Sequence, residues 1–190
     1  MNISGKTKSL TRGLWIAAAI VAVAFSAPGP AAAKDRTLAT VHSNVVEEFK
    51  TVRHISAGEL SALERSKLVI FDVREDEEYA VSHLNQAIRV DPDIGAGEFM
   101  RKYAGQIAGK TVIVYCSVGV RSSALAERIA PALKTSGENK VYNLTGGIFQ
   151  WHNEKRPLTR GAQSTPYVHP YNRSWGRLIT DEALISYTPR

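Results

Sequence analysis

The chain has 190 residues, 44% of them hydrophobic and 22% charged, with a formal net charge of +6 and one cysteine. That is enough apolar material for one core without disulfide or metal staples, and a lone cysteine excludes an internal disulfide. The charges are well mixed, with no Lys/Arg-rich block of the kind that tracks nucleic acid, so no nucleic-acid partner is expected.

The N-terminus reads as an export signal. Lys6, Lys8 and Arg12 form a positive region, the apolar run Leu14–Ala27 follows, and Pro28, Gly29 and Pro30 lead to small residues Ala31–Ala33. Cleavage is expected before Lys34. The run is shorter than the roughly 20 apolar residues of a spanning helix, which leaves an uncleaved membrane anchor as the alternative and the only route to a membrane partner. Removing residues 1–33 takes three of the 24 basic residues and none of the 18 acidic ones, so the mature charge is 21 minus 18, or +3. The expected compartment is the periplasm or the outside of the cell.

Residues 34–52 read as an extension with one short helix, in which Asn44 and Glu47 form a capping box and Val45, Val46 and Phe49 give an apolar face. Lys34 to Thr40 reads as loose. Ser56 caps a second short helix carrying Leu60 and Leu63. Leu68–Phe71 is a continuous apolar run ending at Asp72, a fully buried parallel strand. Ala87–Val90 is a weaker strand, stopped by Asp91-Pro92. A helix is predicted over Glu98–Tyr103, and Gly109 turns the chain. Lys110–Tyr115 is the clearest strand, β-branched and apolar on both faces, with Cys116 at its carboxyl end. A helix from about Ser122 to Leu133, a strand at Val141–Leu144 and a last helix with Phe149 and Trp151 complete an alternating pattern. It implies an α/β fold with a largely parallel sheet. From Arg156 onward the periodicity dissolves, and 157–190 reads as an accessory tail.

Reactive groups in such sheets collect beyond the carboxyl ends of the strands, where Cys116 stands. The loop after it is built of small residues and leads into a helix. Backbone N–H groups can turn inward there as an anion nest, the helix N-terminus adds partial positive charge, and Arg121 adds a full one. All three favour thiolate over thiol and suit nucleophilic attack on an electrophilic sulfur or phosphorus. The alternative is a buried cysteine acting as a small hydrophobe.

Four segments carry a family resemblance. Cys116-Ser117-Val118-Gly119-Val120-Arg121-Ser122 resembles the active-site loop of single-domain rhodaneses, the thiosulfate sulfurtransferase superfamily. Phe71-Asp72-Val73-Arg74-Glu75 with Glu78-Tyr79 resembles the family's D-V-R-x-x-x-E-[YF] segment. His83 to Ile88 stands in the place of G-H-I-P-G-A-I-N, with Ser82, Asn85 and Gln86 departing from it. Val141 to Trp151 resembles the V-x-x-L-x-G-G-x-x-x-W ending. The resemblance spans 53–156 and implies a three-layer fold with a five-stranded sheet. It also implies two-step transfer of sulfane sulfur, from a small-molecule donor such as thiosulfate to a thiophilic acceptor, with a protein acceptor as a further possibility. Cys116 would be the nucleophile and persulfide carrier. The N–H groups of Ser117, Val118, Gly119, Val120, Arg121 and Ser122 would cradle the terminal sulfur, and Arg121 would bind the donor or hold the loop. No metal or organic cofactor is implied.

Two rival readings come from other classes. A Cys-dependent phosphatase would use a C-x5-R loop, whereas four residues separate Cys116 from Arg121, giving a smaller nest suited to one sulfur atom. A binding module would have no use for both Cys116 and Arg121. Asp72 and Arg74 could support the site, but residues two apart in a turn read first as a structural ion pair. His83 and Trp151 read as structural, and Tyr167, His169, Tyr171 and Trp175 as packing on the domain surface.

Overall fold

The computed structural model describes residues 36–137 and 140–190. The signal-segment reading over 1–33 lies outside them; among the described residues no helix is long and apolar enough to cross a membrane. Five parallel strands form the central sheet in the order β1-β5-β4-β2-β3: β1 Arg53–Ile55, β2 Leu68–Asp72, β3 Ile88–Arg89, β4 Thr111–Tyr115 and β5 Val141–Leu144. Strand β4 shows why the sheet sits in the middle. Its side chains alternate, sending Val112, Val114 and Cys116 into one core and Ile113 and Tyr115 into the other.

The first core is closed by helices α4 (Ala96–Ile107) and α5 (Val120–Thr135), through Phe99, Tyr103, Ile107, Leu125, Ile129 and Leu133. The second is closed by α1 (Leu38–Glu48), α2 (Ala57–Ala62) and α6 (Gly147–Asn153), through Val41, Val45, Leu60, Ile148 and Phe149. This is the three-layer α/β architecture that the alternating pattern implies. Because the strands are parallel, the segments after β2, β4 and β5 leave from the same sheet edge.

Several boundaries differ from expectation. Helix α1 begins at Leu38, not near Asn44. Its capping box is Thr37 with Thr40: the Thr40 N–H donates to Thr37 Oγ1 at 3.1 Å and the Thr37 N–H donates to Thr40 Oγ1 at 2.9 Å. Asn44 and Glu47 lie inside the helix, where a cap has no free N–H to serve. The cap at Ser56 forms as expected, with Glu59 closing it, but Leu63 stays exposed while Leu60 is buried. Helix α3 (Asp76–Val81) has no counterpart in the sequence reading.

The tail is ordered. Strands β6 (Leu158–Arg160) and β7 (Gln163–Thr165) form an antiparallel hairpin, and a short helix α7 (Arg173–Gly176) follows. Leu158, Val168, Leu178 and Ile179 are buried in the core beneath α1 and α6. The His83 N–H donates to the Thr159 carbonyl at 2.8 Å and the Thr159 N–H returns a bond of 2.9 Å, stitching the hairpin to the chain before β3.

Candidate functional site around Cys116

Cys116 leaves β4 and is only 1% exposed. Its Sγ accepts a hydrogen bond from the Gly119 N–H at 3.2 Å. Gly119 is the residue before α5 and has φ +106; a side chain there would be strained and would press on Asn143. The first backbone bond of α5 runs from the Ser123 N–H to the Gly119 carbonyl at 3.1 Å. The N–H groups of Val120, Arg121 and Ser122 therefore precede the helical ladder, and the positive end of the helix lies beside the thiol.

The other side of the loop is fixed by α6. The Ile148 and Phe149 N–H groups donate to the carbonyls of Cys116 and Ser117 at 2.9 and 3.1 Å. Gly147 makes this approach possible, since a Cβ there would lie 2.3 Å from the Cys116 carbonyl oxygen.

Arg121 is engaged within the protein. Its Nη1 and Nη2 donate to the two oxygens of Glu78 at 2.8 and 2.9 Å, and Nη2 also donates to Ser117 Oγ at 3.0 Å. The Ser117 hydroxyl donates to the same carboxylate at 2.7 Å. Burial alone would push the Glu78 carboxyl up. The Arg121 fork, Arg74 and the Ser117 hydroxyl outweigh it and hold Glu78 below the usual carboxylate range. Desolvation likewise opposes the charge on Arg121, and Glu78 and Cys116 more than restore it. Of the two roles the resemblance offers Arg121, this geometry is that of holding the loop. Sequence reading did not single out Glu78 as a site residue, although its place in the D-V-R-x-x-x-E-[YF] segment was the available signal.

Asp72 and Arg74 form a sealed structural pair. Arg74 Nε and Nη2 donate to the Asp72 carboxylate at 2.8 and 2.6 Å, and Nη2 also donates to the Ser82 carbonyl at 2.6 Å. The Tyr115 hydroxyl donates to Asp72 Oδ2 at 2.6 Å and accepts the Leu84 N–H at 3.1 Å. Burial and the Asp72 charge hold the Tyr115 phenol well above its ordinary range. His83 is structural as well: its ring stacks on Tyr79 with centroids 4.0 Å apart. Trp151 packs beside the core and donates to the Pro157 carbonyl.

Cys116 borders a cleft of about 570 Å³. Ser117 and Val118 line it from the loop, Val120 and Arg121 from the first turn of α5, and Thr40, Val41, Asn44, Val45 and Glu48 from α1. Arg36, Tyr171 and Trp175 complete it. The Ser122 hydroxyl donates instead to Asn143 at 2.6 Å, behind the loop. Tyr171 and Trp175 thus do more than pack: they wall the cleft, and the Arg121 guanidinium lies 4.8 Å from the centre of the Tyr171 ring. No period in the tail sequence signals this, because both residues reach the cleft through an irregular path.

The Rhodanese-like domain family matches residues 56–154, just over half of the chain and including the cysteine loop, Glu78 and α6. The chain belongs to that family. A tRNA uridine(34) hydroxylase of Salmonella arizonae is 25% identical over 138 residues, 69% of this chain and 37% of that protein. Its counterpart in Onion yellows phytoplasma is 34% identical over 107 residues, 54% of this chain and 32% of that protein. The chain spans about a third of the length of these curated relatives. Among solved structures, a thiosulfate sulfurtransferase from Pseudomonas aeruginosa is similar at a TM-score of 0.50 and 26% identity, over 66% of this chain and 23% of that one.

The rhodanese-like match stops short of both flanks of the cleft. Helix α1 precedes residue 56, and Tyr171 and Trp175 follow residue 154. The fold and the loop are family features, while two of the cleft's three walls come from outside the matched segment.

Proposed function

We propose that this rhodanese-like protein is a sulfurtransferase that takes sulfane sulfur from thiosulfate or a similar donor and carries it as a Cys116 persulfide. The supporting observation is the Cys116 Sγ beside a cleft, with the Gly119 N–H on the sulfur and the unladdered N–H groups of α5 following it. In the first step the Cys116 thiolate attacks the outer sulfur of thiosulfate. The sulfur–sulfur bond of the donor breaks, sulfite leaves with its electron pair, and the enzyme holds Cys–S–S⁻. In the second step a thiophile such as cyanide takes the outer sulfur and restores the thiolate. The loop's N–H groups offer diffuse stabilisation to the terminal sulfur. Ser117 and Val118 shape the floor, and Arg121 acts as a positioning residue through Glu78.

The four-residue interval between Cys116 and Arg121 supports sulfur over a tetrahedral phosphate as cargo. The activity in the name of the tRNA uridine(34) hydroxylases belongs to longer proteins, of which this chain spans about a third, and is not carried over. The export-signal reading places the reaction in the periplasm, which N-terminal sequencing of the fractionated protein tests. Purified protein given thiosulfate and cyanide should release thiocyanate, and Cys116→Ala should not. Absence of cysteine-dependent thiocyanate would favour a binding module, and Cys116-dependent release of phosphate from an aryl phosphate would favour the phosphatase.

A further inference from the structure

We infer that the cleft selects a sulfur donor with an apolar organic body of about aromatic-ring size, an organic thiosulfonate being the simplest such molecule; this rests on the sulfur-transfer reading above. Size is the first argument. A cleft of about 570 Å³ falls within the range that organic ligands fill, on the order of 300–1,000 Å³, and a small dianion would occupy little of it.

The walls are the second argument. Val41 and Val45 come from α1, Val118 from the loop, Val120 from the start of α5, and Tyr171 and Trp175 from the tail. Taking a dianion out of water against these side chains is unfavourable. Charge is the third argument. The guanidinium nearest the cysteine in sequence, Arg121, is already paired with Glu78, and the Glu48 carboxylate also lines the cleft. The remaining lining cation is Arg36, 4.6 Å from the centre of the Trp175 ring and without an ion pair among the described residues. One cation opposed by one carboxylate suits a monoanion with an apolar body better than a dianion.

The chemistry balances without a further reagent. The Cys116 thiolate attacks the outer sulfur of R–SO₂–S⁻, the sulfur–sulfur bond of the donor breaks, and the sulfinate R–SO₂⁻ leaves with the electron pair. Cys116 keeps the outer sulfur as Cys–S–S⁻. No proton or oxidant is consumed, and the charge is two negative on each side.

The test compares two donors with the same reacting group, sodium methanethiosulfonate and sodium benzenethiosulfonate. The second-order rate constant for Cys116 persulfide formation is followed by intact mass. The expected result is at least a tenfold preference for the benzene compound. That preference should fall at least threefold in Trp175→Ala, which removes a wall. It should fall likewise in Asn44→Phe, which fills the cleft from an exposed position on α1 and keeps a helix-compatible residue there. Equal rates for the two donors, or a preference that survives both substitutions, would overturn the inference while leaving sulfur transfer in place. Failure of both donors to load Cys116 would instead overturn the sulfur-transfer reading.

Discussion

Two arginines in this protein make paired hydrogen bonds to a carboxylate in different surroundings, Arg74 through Nε and Nη2 and Arg121 through Nη1 and Nη2. Arg74 and Asp72 are two residues apart, sit where β2 ends, and are both 0% exposed. Arg121 and Glu78 are 43 residues apart, and while Glu78 is 2% exposed, Arg121 keeps 23% of its side-chain surface. The first pair forms from one turn of chain and ties it to Ser82 and Tyr115. The second forms only when α3 and the first turn of α5 are both in place, and it borders the cleft. A buried local pair fixes the sheet edge; a half-open distant pair links the fold to the shape of the cysteine loop.

Substituting each arginine should separate these roles. Arg74→Met leaves Asp72 charged and buried and should cost about 3–5 kcal/mol of stability, read from urea unfolding, while the folded fraction still loads sulfur. A loss below about 1 kcal/mol would break the contrast. Arg121→Ala should cost less, about 1–3 kcal/mol, because water can reach Glu78 from the cleft. It should also slow persulfide formation by about tenfold or more. If loading stays at the wild-type rate, Arg121 does not position the loop.

Acid should act on the second pair. The folded-state pKa of Glu78 is held below its unfolded value, so its contribution is fully present at neutral pH. It should decline as the pH falls below the ordinary carboxylate range and vanish once the pH passes the lowered folded value. Unfolding curves of wild type and Glu78→Gln should therefore converge with acid; a constant gap down to pH 3 would contradict this. The smallest effect is expected at Gln86, whose φ is +59 where the family carries glycine. Gln86→Gly relieves a left-handed backbone and enlarges unfolded-chain entropy, for a net gain of about 0–1 kcal/mol. A loss in thermal unfolding would show that the Gln86 side chain makes a compensating contact.

Much of the centre was legible because its signals are local. Leu68–Phe71 and Lys110–Tyr115 are apolar runs that only a buried strand accommodates, and Cys116 follows one of them. Strand β1 was not legible: Arg53-His54-Ile55 is a short edge strand with one buried side chain, so it carries no alternation. The start of α1 was misplaced because the capping box uses two threonines rather than the acidic partner expected at its third position. Asn85 and Gln86 stand where the family motif has Pro and Gly, a change that would allow a loop of different shape. The chain instead keeps a glycine-like backbone angle at Gln86, held by neighbours such as the Ala87 N–H bond to the Leu84 carbonyl. The site was legible as far as the loop. Arg36, Tyr171 and Trp175 join it through tertiary placement, which spacing along the chain does not encode, whereas Glu78 stands in the D-V-R-x-x-x-E-[YF] segment and only its pairing with Arg121 was hidden.

The central claim is that Cys116, buried beside this cleft, carries sulfur. Intact mass of the purified protein after thiosulfate treatment tests it most directly. The account predicts a gain of one sulfur atom, about 32 Da, reversed by cyanide and absent in Cys116→Ala. An unchanged mass in the wild type with thiosulfate and with benzenethiosulfonate alike, or the same gain in Cys116→Ala, would contradict it.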